Sequence, residues 1–81
     1  MDREQLKGVV FETLRGIAPE VQLSQLEPGT PLRDQVDLDS MDWLHFLMGL
    51  HQKLHVEIPE SDYRQLTTLE RLLDYLGKRV A

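Results

Sequence analysis

Asp39-Ser40-Met41-Asp42 places a hydroxyl between carboxylates, at the point where an acidic, proline-containing stretch gives way to a run of apolar residues. A serine in that position has two uses. It can cap the helix that follows, a role serine and aspartate both perform well. Alternatively its hydroxyl, held out to solvent at a helix start, can take part in group transfer. For an isolated Asp-Ser pair, capping is the ordinary role. Histidine is the second chemistry-bearing type, and His45, His51 and His55 all fall in the segment after Ser40. His51 and His55 are four residues apart, a spacing that can hold a metal on a helix, but two histidines without a matched carboxylate pair make a weak site and no metal is expected. Histidine titrates near neutrality, yet on an exposed helix it is by default solvated surface. No Ser-His-Asp order fits one small site. The absence of cysteine removes a thiol nucleophile, a disulfide framework and a zinc ribbon.

The rest of the composition points the same way. An 81-residue chain buries roughly 60% of its unfolded surface, enough for one core and too little for a deep catalytic pocket. The expectation is a single domain over residues 1–81 that binds or carries rather than an enzyme. A net charge of −5 is the wrong sign for a nucleic-acid partner, which requires a basic face, and the right sign for basic proteins. No apolar run approaches the ~20 residues of a bilayer span, and the N-terminus has no basic region followed by an apolar one. The expected setting is a reducing cytoplasm without stable membrane insertion. The start at Met1 and the end soon after the last helix suggest a free-standing protein, expected to be monomeric.

Apolar spacing defines the elements. Leu6, Val9, Val10, Leu14 and Ile17 recur at three and four residues over about Asp2 to Ile17, which predicts a first helix. Pro19, Pro28, Gly29 and Pro31 then forbid regular structure to about Asp39, predicting a long first loop pinned by Leu23, Leu26, Leu32, Val36 and Leu38. A second helix runs from Ser40 to about His55 and is ended by Glu57-Ile58-Pro59; a short helical turn follows over Glu60 to Leu66. Thr67-Thr68-Leu69-Glu70 has the form of a capping box and opens a last helix on Leu69, Leu72, Leu73 and Leu76, with Lys78 and Arg79 near its negative end. The fold class is all-α: a small four-helix bundle of three main helices plus one short one, with a long first loop. Its acids concentrate in residues 18–39, and Glu27, Asp34, Asp37, Asp39 and Asp42 lead into the positive end of the second helix.

Together these residues resemble the acyl carrier proteins of the phosphopantetheine-binding family, essentially end to end. Asp39-Ser40-Met41-Asp42 is similar to the family's Asp-Ser-Leu/Met-Asp attachment motif. Glu57-Ile58-Pro59, Thr67-Thr68-Leu69 and Tyr75-Leu76 resemble its later landmarks. The resemblance implies that a phosphopantetheinyl transferase (holo-synthase) esterifies Ser40 with 4′-phosphopantetheine from coenzyme A. The thiol of that group, rather than this cysteine-free chain, then carries an acyl or aminoacyl thioester. It also implies an acyl- or aminoacyl-activating ligase and a downstream synthase or transferase as partners. Asp39 would orient the modified junction or help the transferase hold a metal, unless it is only the N-cap. A helix N-terminus suits the attached phosphodiester. The implied setting is a specialised fatty-acid, polyketide or other secondary-metabolite pathway.

Turning each residue by about 100° from Ser40 places Trp43, Phe46, Leu47, Leu50 and Leu54 on one arc, assigned to the core and to any inserted acyl chain. Met41, Leu44 and Met48 form a flank beside Ser40. With Asp42 and His45 they are the candidate docking surface, for which flexible Met is well suited; packing under the long loop is the other use of that flank, and for Leu44 the two weigh equally. Carriers of fatty acid synthesis usually have a strongly acidic second helix. Here His45, His51, Gln52 and Lys53 stand where carboxylates tend to be, and Asp42 is the helix's only acid. Enzymes that read a row of carboxylates are therefore expected to bind this chain less well. Asp37 occupies a turn position where the family commonly has glycine. Peptidyl carriers usually show Gly-Gly-x-Ser, against Val36-Asp37-Leu38-Asp39-Ser40 here, so the chain leans away from that subclass. The alternative function is an unmodified helical docking module that uses the Met41, Leu44 and Met48 surface.

Overall fold

The computed structural model describes residues 2–80. Its elements are α1 (Arg3–Arg15), α2 (Leu32–Gln35), α3 (Ser40–Leu54) and α4 (Leu69–Gly77), with 3-10 turns at Leu23–Gln25 and Glu60–Gln65. No strand forms among the described residues; one isolated bridge pairs Pro31 with Thr68. The three main helices are those that the apolar spacing predicts. The long first connection is less irregular than expected, because it contains both a 3-10 turn and the single helical turn α2. The short helix after Pro59 is a 3-10 helix.

The starts of the three main helices are each fixed by a side chain. Asp2 Oδ1 accepts from Gln5 N at 2.8 Å and Gln5 Oε1 accepts from Asp2 N at 3.1 Å, a reciprocal pair that caps α1. Asp39 caps α3 by accepting from Asp42 N at 2.8 Å. For α4 the expected box is displaced by one residue. Thr68, not Thr67, is the N-cap, accepting from Arg71 N at 3.1 Å. The physical reason is that the Thr67 carbonyl accepts from Leu32 N, and Glu70 N donates to the Pro28 carbonyl, so this corner is tied to the first connection instead.

The core joins Leu6, Val10 and Leu14 of α1 to Phe46, Leu47 and Leu50 of α3 and Leu69, Leu72 and Leu76 of α4. Of the residues expected to pin the first connection, Leu32, Val36 and Leu38 are buried and Leu26 packs half-buried against the core, whereas Leu23 stays outside it. Gln35 adds a polar clamp: its Nε2 donates to the Glu27 and Thr30 carbonyls at 2.9 and 2.8 Å, and its Oε1 accepts from Glu27 N. Apolar pins and clamp together hold the strand of chain that ends at Asp39, which fixes where Ser40 stands.

Helix α3 ends one residue before the expected position. His55 adopts the left-handed conformation (φ 54°, ψ 40°) that closes the helix, and His51 Nδ1 donates to the Val56 carbonyl at 2.7 Å. Glycine is the residue best suited to this backbone. We expect His55→Gly to raise stability by about 0.5–1 kcal/mol, seen as an upward shift of the thermal midpoint; an unchanged or lower midpoint would show that the His55 side chain offsets its strain.

A polar cluster joins the second 3-10 turn to α4. Tyr75 OH donates to Asp62 Oδ2, and the Arg79 guanidinium lies 3.6 Å over the Tyr75 ring. Burial pushes the Tyr75 hydroxyl above the usual phenol range; the hydrogen bond to Asp62 and its negative charge add to the rise, and Arg79 opposes it. A folded-state pKa above the unfolded one gives stabilisation that is complete below the unfolded value of about 10 and lost as pH rises through the folded one. Tyr75→Phe is therefore expected to cost about 1 kcal/mol at neutral pH. Urea unfolding should show that gap narrowing in strongly alkaline buffer, and a gap that widens there contradicts the assignment.

Candidate functional site

Ser40 is the first residue of α3 and is exposed. Its position is set from both sides. Behind it, Val36 and Leu38 are buried and Arg33 Nε donates to the Leu38 carbonyl at 3.3 Å. Ahead of it, Trp43 N donates to the Asp39 carbonyl at 3.0 Å and Trp43 packs against Phe46, with ring centroids 5.2 Å apart. The serine hydroxyl is thus held at a rigid helix start while making no cap of its own. Asp39 performs the capping, so the two roles open to an Asp-Ser pair are divided between the two residues.

This junction fits an attached phosphodiester. The first amides of a helix lack intrahelical acceptors and carry the positive end of its dipole, and the Asp39 side chain occupies the amide of Asp42 rather than those of Ser40 and Met41. Asp37 and Asp39 are exposed and Asp42 is half-buried, so the junction is acidic and open. Asp37 imposes no left-handed backbone, because His55 is the only residue among those described with a positive φ. The missing glycine therefore leaves no strain in the turn.

Along α3 the side chains divide sharply. Trp43, Phe46, Leu47 and Leu50 are buried and Leu54 is half-buried. Met41, Leu44 and Met48 are the exposed large hydrophobics among the described residues, at 59, 38 and 53% exposure. Leu44 is the least exposed of the three. His45, His51 and His55 are all exposed, and His55 has left the helix. Among the described residues no three His, Asp or Glu side chains gather as a metal-binding group.

Sequence periodicity does not mark Arg33 and Gln35, whose side chains bond the backbone carbonyls of Leu38, Glu27 and Thr30. Gly49 was missed as well. A Cβ there would stand 2.8 Å from Thr13 Cγ2, so this glycine leaves the space that the Thr13 methyl of α1 occupies against α3.

The family profile of the phosphopantetheine attachment site matches residues 11–76, which include Ser40 and all of α3. The chain belongs to the phosphopantetheine-binding acyl carrier family. It is 27% identical over 79 residues to the acyl carrier protein of Chlorobium phaeobacteroides, covering 98% of this chain and all of that one. Against the acyl carrier protein of Cyanidioschyzon merolae it is 30% identical over 73 residues, with 90% of this chain and 75% of the relative covered. The solved acyl carrier protein from Enterococcus faecalis shares the fold with a TM-score of 0.75 at 21% identity, over 98% of this chain and 99% of that one. Proteins of this family are carriers and not enzymes, and they bear a covalent 4′-phosphopantetheine group whose thiol supplies the thioester chemistry. No helix among the described residues is long and apolar enough to cross a membrane.

Proposed function

We propose that the Ser40 hydroxyl is the attachment point and that the chain, as one carrier domain, delivers an acyl or aminoacyl thioester between enzymes of a specialised fatty-acid, polyketide or other secondary-metabolite pathway. The observation that carries this reading is an exposed serine at the first position of α3, relieved of capping by Asp39, within Asp39-Ser40-Met41-Asp42. The chain's own part is to present that hydroxyl to a transferase, which supplies the catalytic base and metal, and then to hold the modified residue at a fixed place. Incubation with coenzyme A, magnesium and a broad-specificity phosphopantetheinyl transferase should add one phosphopantetheine, read as intact mass. No gain with transferases of several classes would favour the unmodified docking module.

Partners dock beside this point on Met41, Leu44 and Met48, with Asp42 and His45 at the margin. Exposed methionine and leucine contribute area without fixed charge, and the surrounding histidines leave the face poor in carboxylates. Ligases and reductases of general fatty acid synthesis should bind this chain more weakly than they bind an acidic carrier; equal affinities in a direct titration would refute this specialisation.

A further inference from the structure

Between α2, α3 and the second 3-10 turn lies an open cleft of about 290 Å³, walled by Pro31, Trp43, Tyr63 and Leu66 and flanked by Arg33 and Arg64. Its lining is mostly apolar, and both arginines are exposed. Neither pairs with a carboxylate: the ion pairs among the described residues are Arg3–Asp74 and Arg79–Asp62. Arg33 commits its Nε to the Leu38 carbonyl. Two guanidinium groups that pair with no carboxylate among the described residues thus stand at one apolar cleft in a chain of net charge −5.

The cleft also lies next to the attachment point. Trp43 is three residues after Ser40, about 4.5 Å along the axis on an adjoining stripe of α3, and the Arg33 anchor is a carbonyl two residues before Ser40. Phe46, Leu6, Leu14, Leu32, Leu47 and Leu50 are fully buried in the core behind the cleft.

We propose that this cleft receives the far end of a short acyl group that bears a terminal carboxylate, its carbon chain against Trp43 and Tyr63 and its carboxylate on Arg33 and Arg64. The inference rests on Ser40 being the attachment point. Guanidinium is the side chain whose fork geometry matches a carboxylate. A cleft of about 290 Å³ that is open to solvent has room for a short acyl group and not for a long one. An uncharged acyl group gains nothing from the two arginines, and a cationic aminoacyl group is repelled by them.

The test is to load the protein from adipyl-coenzyme A and, separately, from hexanoyl-coenzyme A with a broad-specificity transferase. Emission of Trp43, the only tryptophan, and the hydrolytic half-life of each thioester are then followed. The adipyl form should shift Trp43 emission, and its half-life should fall roughly two- to fivefold in Arg64→Gln, the upper range of an exposed ion pair. The hexanoyl half-life should not change. Arg64→Gln leaves the bond from Arg33 to Leu38 in place, so the readout does not depend on loosening the first connection; Arg33→Gln should act in the same direction. Equal emission for the two cargoes, or an adipyl half-life indifferent to Arg64→Gln, overturns the cleft proposal while the carrier reading stands. Failure of both coenzyme A derivatives to load overturns the carrier reading and the proposal with it.

Discussion

Ser40→Ala is expected to abolish phosphopantetheine loading completely while changing the stability of the fold by no more than about 0.5 kcal/mol. The separation follows from the division of labour at the start of α3. Ser40 is exposed and accepts no hydrogen bond from the helix, whereas Asp39 holds the amide of Asp42 at 2.8 Å. Asp39→Ala provides the contrast. It removes a cap, at a cost of about 1 kcal/mol, yet leaves the hydroxyl in place, so loading persists at a reduced rate. Urea unfolding and intact mass on the two variants read both quantities. If Ser40→Ala were the more destabilising of the pair, the serine would be a structural cap and the carrier account would lose its main support.

The second large effect lies away from the site, at the contact between α1 and α3. A glycine inside a helix costs about 1 kcal/mol relative to alanine, so Gly49 has to be explained by what it allows. A Cβ at Gly49 would meet Thr13 Cγ2 at 2.8 Å. Thr13 is buried and cannot swing away, because its Oγ1 donates to the Val9 carbonyl at 2.8 Å. Gly49→Ala is therefore expected to destabilise, overpacking of about 1–3 kcal/mol outweighing the gain in helix propensity. In a Thr13→Ser background the methyl is gone and the hydroxyl bond is kept. The same Gly49→Ala change should then stabilise by up to about 1 kcal/mol. A double-mutant cycle by chemical denaturation reads this reversal of sign. Additive effects would mean that the two helices are not held apart by this contact.

Parts of the fold were legible because they rest on local or periodic signals. Leu6, Val10 and Leu14 recur on a helical face, as do Phe46, Leu47 and Leu50, and all are buried. Val9, included in the same predicted stripe, is only half-buried, and Thr13 takes the place in the core that a purely apolar pattern could not assign. The cap of α4 was misplaced by one residue because Thr67 and Thr68 are equivalent as letters. The backbone bonds from Leu32 N to the Thr67 carbonyl and from Glu70 N to the Pro28 carbonyl distinguish them. The clamp made by Gln35 and the cleft between Arg33 and Arg64 join residues that are near in space without any regular spacing in the chain. The attachment motif was readable, but an Asp-Ser pair does not say which residue caps; the hydrogen bond from Asp42 N to Asp39 does.

Peptide mapping by tandem mass spectrometry after transferase treatment tests the central claim most directly, because the chain contains three serines, Ser24, Ser40 and Ser61. The account predicts that all of the added phosphopantetheine is found on the peptide containing Asp39-Ser40-Met41-Asp42, with the modification on Ser40. Modification of Ser24 or Ser61 instead, or a Ser40 peptide that stays unmodified while the intact mass rises, would contradict it.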